Sequence, residues 1–175
     1  MAKLDELRRF AAATAGSARF VHLQRGAIEQ YAHSLPLEQA RTPSLDPATH
    51  YQGAPDETLA FVVALDAINF GSGYFPHLRK RPGLSGYFTV ASGLKDAWPL
   101  SLHELKTLTP KDCAGIFDQT SDDPAVAELM GLFARALNDL GAHAERSGGF
   151  AELVARADRS AERLIDVLAE MPLYR

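Results

Sequence analysis

Apolar and polar positions along this chain alternate with helical spacing over most of its length. The clearest case is SDDPAVAELMGLFARALNDLG, where apolar residues stand at 126, 129, 130, 133, 137 and 140, a 3.6-residue period with Gly141 as the expected stop. FAELVARADRSAERLIDVLAEM repeats that spacing at 150, 153, 154, 164, 165 and 168 and predicts one last helix. KLDELRRFAAA predicts a first helix, GAIEQYAHSL a second that Pro36 stops, and ARFVHL between them an extended stretch. Residues 36–54 carry prolines without a period and read as a loop. Pro55 with Asp56 and Glu57 opens a helix, because proline suits the first position and acids suit the positive dipole end. It is expected to run to about Phe70 and stop at Gly71. GYFTVASGLKDAW predicts a helix ended by Pro99, and LTPKDCAGIF one capped by Thr109 with Pro110 in its first turn. No alternating strand, internal repeat or low-complexity tract interrupts this pattern. The expected fold class is mainly α, a single helical domain over residues 1–175.

One stretch departs from plain amphipathicity. Residues 59–70 are apolar on every side of the predicted helix except at Asp66 and Asn69, which suggests a buried rod carrying a carboxylate and an amide on one face. Burying such groups costs about 2–7 kcal/mol each without partners. Either they brace neighbouring backbone, or they line a pocket and meet a ligand. The loop that follows, 71–85, favours the pocket. Its glycines permit close backbone approach. Tyr74 and Phe75, with Tyr87 and Phe88 just beyond, offer flat faces for stacking on a base. Arg79, Lys80 and Arg81 precede a helix start near Ser85, where free N–H groups favour an anion such as one phosphate. His77 within the loop is a candidate acid or phosphate contact. A polar floor, aromatic walls and an anion site together describe a nucleotide pocket.

Charge narrows the partner. The net charge is −4, and residues 88–175 hold nine basic against fourteen acidic side chains, which argues against polymeric nucleic acid and leaves a small molecule. No apolar run is long enough for a membrane span, and no secretory signal is visible at the start. The single Cys113 suits a reducing compartment, so a cytoplasmic location is expected. The histidines at 22, 33, 50, 77, 103 and 143 lack metal-ligand spacing, and no P-loop or dinucleotide fingerprint occurs, so no metal or cofactor is expected.

At these residues the sequence resembles the queuosine salvage proteins, the queuosine 5′-phosphate N-glycosylases. LDAINF is similar to that family's LDALNF signature, GLSGYFTVASGLKDAWP to its following GYW helix, and LHELKTLTPKDCAGIF to a later segment ending in IF. ELMGLFARALNDLG through MPLYR resembles its later helices and P.FR turn. The resemblance implies a helical fold related to the helix-hairpin-helix DNA glycosylases. It also implies hydrolysis of the bond between ribose and the 7-deazaguanine base queuine, which releases queuine for tRNA modification. The matching positions are Asp66, Asn69, Phe70 and Tyr87, which the resemblance places around base and sugar. Where some members read NFCFWP, this chain reads NFGSGYFPHLRKRPG. The family continues beyond the P.FR turn into a KRAQ…AD stretch whose aspartate is its catalytic carboxylate. No such stretch follows here, so an incomplete C-terminus is expected, or a half that works with a C-terminal partner segment or as a homo-oligomer.

Cleaving an N-glycosidic bond builds positive charge on the sugar, which calls for a carboxylate beneath C1′, and a second group must protonate the departing base. In this chain Asp66 is the available carboxylate. An apolar surround would raise its pKa and suit it to donate to the base. The other readings are a nucleotide- or nucleobase-binding helical module without chemistry, and a scaffold bundle awaiting another subunit.

Overall fold

Caps written into the sequence set most helix boundaries in the computed structural model, which describes residues 3–40 and 44–174. The chain divides into two units, Met1–Ser44 and Leu45–Arg175. The first holds α1 (Lys3–Ser17), α2 (Arg25–Ser34) and a 3-10 turn at Leu37–Gln39. Neither α1 nor α2 buries a residue, and Phe10, Phe20, Val21, Leu23 and Tyr31 stand exposed. ARFVHL is irregular rather than paired as a strand. The loop read at 36–54 is loop apart from the 3-10 turn and a turn at 47–49, with residues 41–43 outside the described part.

The second unit holds α3 (Pro55–Ala67), α4 (Gly86–Ala97), α5 (Leu102–Thr107), α6 (Pro110–Ile116), α7 (Pro124–Ser147), α8 (Phe150–Ala155) and α9 (Ala161–Leu168). Two further 3-10 turns stand at Phe75–His77 and Pro172–Tyr174. No strand occurs among the described residues, so the class is mainly α. α7 is the spine, with α3, α5, α6, α8 and the last 3-10 turn packed on it. Its buried stripe of Val126, Leu129, Met130, Phe133, Leu137 and Leu140 is the period read from the sequence. Burying each large apolar side chain contributes about 1.5–3 kcal/mol. Phe133 meets Phe117 edge-on at 5.2 Å between ring centres, and Phe61 meets Trp98 at 5.7 Å. Cys113 lies fully buried on α6, where burial, with a smaller push from Asp112, drives its thiol pKa up to about 12.

Where boundaries differ from the sequence reading, each difference has a local cause. Gly141 does not stop α7, which runs on to Ser147 and ends at Gly148 with φ 95°. Gly141 is needed for close approach: a Cβ there would lie 2.9 Å from Leu105 Cβ and 3.1 Å from the Lys106 nitrogen. The last helix is broken in two, because Asp158 and Arg159 turn left-handed at φ 47° and 60° and Ser160 caps a new start by accepting from the Arg163 N–H. α5 goes unread in the sequence, although Ser101 and Glu104 form a reciprocal capping box. α3 ends at Ala67 rather than Phe70. The Ile68 and Asn69 N–H groups close back on Leu65 and Asp66 carbonyls at 3.2 and 3.1 Å, a tightened last turn before Gly71 at φ 83°.

Candidate functional site

The early end of α3 changes what Asp66 and Asn69 are. The sequence suggests a rod buried all round, but α3 buries only the face carrying Ala60, Phe61, Ala64, Leu65 and Ala67. Leu59, Val62 and Val63 on the other face are half-buried, and Asp66 and Asn69 are exposed. Apolar side chains on that face mimicked the signature of burial without being sealed.

Exposure does not leave Asp66 in bulk water. It borders a hollow of about 140 Å³ walled by Val63, Ala67, Leu140, Leu164, Leu168, Met171 and Tyr174. Lost hydration against those walls raises the Asp66 pKa above the ordinary carboxylate value, partly offset by a hydrogen bond with the Asn69 side chain. The position acts in the same direction, since the carboxylate stands in the last turn of α3, near its partial negative charge. Two phenols feel this acid. Burial first, then the Asp66 charge, raises the pKa of both Tyr87 and Tyr174. Tyr174, in the last 3-10 turn, also donates to the Ala67 carbonyl at 3.0 Å and so ties down the end of α3.

Tyr87 comes from the first turn of α4, which Ser85 caps by accepting from the Phe88 N–H. Its hydroxyl lies 3.1 Å from His50 Nε2, and His50 Nδ1 lies 3.0 Å from Thr49 Oγ1. Thr49 and His50 are placed by a turn that Asp46 organises, its carbonyl accepting from both N–H groups and its carboxylate from the Ala48 N–H. Lys95 of α4 holds the same turn by donating to the Pro47 and Ala48 carbonyls. Phe61, Tyr87 and Phe88 pack their rings about the His50 imidazole at 6.3, 6.0 and 6.2 Å.

Asn69 thus bonds Asp66 and Tyr87 senses its charge, while the other candidates have contacts of their own. Phe70 packs edge-on against Phe133 at 5.5 Å. Tyr74 reaches Glu128 on α7, whose carboxylate hydrogen-bonds its phenol and, with desolvation as the larger cause, raises its pKa. Phe75 lies so close to Gly86 that a Cβ there would sit 2.7 Å from the ring, which is why glycine opens α4. His77 Nδ1 stands 2.9 Å from Asp123, the cap of α7. Arg79 donates to the Asp118 carboxylate and, at 2.7 Å, to its carbonyl, while Arg81 pairs with Asp96 at 2.6 Å. Gln119 clamps the loop at Arg79, accepting from the Arg79 N–H at 2.9 Å and donating to its carbonyl at 3.0 Å. Two of the three basic charges are thus matched locally. Lys80 alone has no described partner.

Sequence reasoning missed Thr49, His50 and Tyr174. His50 was visible only as a histidine without metal spacing, and its meaning comes from the Tyr87 hydroxyl, 37 residues away in sequence. Among the described residues no group of three or more histidine, cysteine or acidic side chains converges as a metal site, and no helix is long and apolar enough to cross a membrane.

No family model matches the chain. A protein of Sphaerobacter thermophilus named queuosine 5′-phosphate N-glycosylase/hydrolase is 29% identical to it over 169 residues, which cover 90% of this chain and 51% of that protein. The chain spans about half the length of that relative, and at this distance its similarity to a queuosine 5′-phosphate hydrolase extends along most of its own sequence.

Proposed function

We propose that this chain supplies the base-recognising part of an N-glycosidase site for queuosine 5′-phosphate, with Asp66 as the group that protonates the departing base. The observation that carries this reading is the environment of Asp66: an acid with a raised pKa, an apolar hollow on one side, and Asn69, Tyr87 and Tyr174 around it. The similarity to the Sphaerobacter thermophilus protein supports the choice of substrate.

In the proposed step the bond between ribose C1′ and the base nitrogen breaks, its electron pair goes to the base, and the Asp66 proton follows. Water adds to C1′ and its spare proton returns to solvent. A raised pKa keeps a larger share of Asp66 protonated near neutrality, and general acid catalysis of this kind is worth about 10²–10⁴-fold. Asn69 orients the carboxyl, and its hydrogen bond stabilises the ionised product of proton transfer. Of the three basic residues, Lys80 is the one with charge to offer a 5′-phosphate, since Arg79 and Arg81 are matched by Asp118 and Asp96. The carboxylate needed beneath C1′ falls, in this reading, to the part of the relative's length that this chain does not span.

A second reading, nucleobase binding without turnover, draws on the size of the hollow. At about 140 Å³ it takes a ring but not a whole nucleotide, for which sites run to about 300–1,000 Å³. Incubating the chain with queuosine 5′-phosphate, alone and together with the half of the Sphaerobacter thermophilus protein that it does not span, and measuring free queuine by mass spectrometry separates the two. Release of queuine supports the hydrolase. Thermal stabilisation without release supports binding alone, because a ligand at a hundred times its Kd adds about 2.7 kcal/mol to a fold that binds it. Neither release nor stabilisation rejects both.

A further inference from the structure

Thr49 is 4% exposed and His50 8%, so their hydrogen bonds are not shared with bulk water. A buried hydroxyl proton needs an acceptor, and the described acceptor within reach of Thr49 Oγ1 is His50 Nδ1 at 3.0 Å. No buried side-chain nitrogen or oxygen is left without a partner among the described residues, so this contact is the one that satisfies Thr49. If Thr49 donates, Nδ1 accepts and carries no proton. The single ring proton of the imidazole then sits on Nε2, which lies 3.1 Å from the Tyr87 hydroxyl and donates to its oxygen. With that oxygen already accepting, the Tyr87 proton is directed away from His50. The charge Tyr87 senses beyond the ring is Asp66.

We propose that His50, held in one tautomer by Thr49, is a positioning residue that fixes Tyr87 as a hydrogen-bond donor toward the Asp66 side of the site. The chain of donors runs Thr49 to His50 to Tyr87, one way. Its use is clearest after proton transfer, when the Asp66 carboxylate has become an anion and a fixed phenol donor stabilises it. This use rests on the proposed function; the direction of the hydrogen bonds does not. The ring packing of Phe61, Tyr87 and Phe88 leaves the imidazole little freedom to flip and reverse the chain.

The decisive experiment needs no variant and no ligand. Long-range proton–nitrogen correlation on the ¹⁵N-labelled chain reads which His50 nitrogen carries the proton. The Nε2–H tautomer is expected, and Thr49→Val is expected to relax that preference. An Nδ1–H tautomer in the unaltered chain overturns the proposal. A cycle of dissociation constants for queuosine 5′-phosphate then tests the link to Tyr87. Tyr87→Phe and His50→Leu are each expected to weaken binding about tenfold, and the double variant to be no weaker than either alone. His50→Gln, which keeps an N–H near the Nε2 position, is expected to stay within about twofold of the unaltered chain. A roughly hundredfold loss in the double variant, the additive result, overturns positioning through Tyr87. If the unaltered chain binds no queuosine 5′-phosphate, the proposed function fails, and the tautomer still decides the positioning role on its own.

Discussion

The end of α3 and the loop that follows it handle charge in opposite ways. At the end of α3, Asp66 has no cation beside it; its described neighbours are an amide, two phenols and an apolar hollow, and its pKa rises. In the loop, Arg79 and Arg81 each find a carboxylate, His77 finds Asp123, and the Asp123 pKa falls, chiefly because His77 bonds it. Charges that are matched where they stand hold a loop in shape. A charge left unmatched against apolar walls keeps free energy available for a ligand. Adjacency in sequence put these two regions into one expected pocket; in the structure they differ in how their charges are met.

The sharpest way to break this contrast is Asp66→Asn. Measured on a chain that releases queuine, turnover is expected to fall by about 10²–10⁴-fold with no loss of stability, and full turnover would remove Asp66 from the chemistry. The next largest effect belongs to the loop. Gln119→Ala strips partners from both the N–H and the carbonyl of Arg79, a loss of about 1–3 kcal/mol in urea unfolding. No loss there would mean that the loop holds without its clamp. Smaller still is Arg81→Ala. Its pair with Asp96 is partly exposed, so about 0–1 kcal/mol is expected, shrinking as salt is raised.

The smallest effect is the dependence of stability on pH at Asp66. A carboxyl whose folded pKa lies above its unfolded one holds its proton more tightly when folded. Stability from this group is therefore greatest below the unfolded pKa and declines as pH climbs through the folded one. Asp66→Asn is expected to raise the thermal midpoint slightly at pH 7 relative to the unaltered chain, with the gain fading by about pH 3. A gain equal at both values would assign the effect to packing rather than to charge.

The helical class and the stripe of α7 were legible because both rest on a local period that tertiary structure had no reason to override. Gly141 was misread because glycine serves two purposes, ending helices and letting them approach, and only the presence of α5 shows which applies. The break at Asp158 and Arg159 had no signal, since neither residue advertises a left-handed turn. Asp66, Asn69 and Tyr87 stood out as polar or aromatic residues in suggestive places, yet the burial assigned to the first two was wrong. Val62 and Val63 look the same in sequence whether they face a core or an open hollow. His50 and Tyr174 were out of reach for a different reason: each acts through a contact made across a long span of chain.

The sealed thiol of α6 has a practical consequence for watching any of this happen. With its pKa near 12 and no surface on solvent, Cys113 is poorly placed to react with maleimide dyes under native conditions. A cysteine introduced at an exposed position of the loop, Ser72 or Gly73 for instance, then becomes the sole dye-accepting atom in the folded chain. Fluorescence from that one place can follow arrival of a nucleotide without first removing the native sulfur from the core.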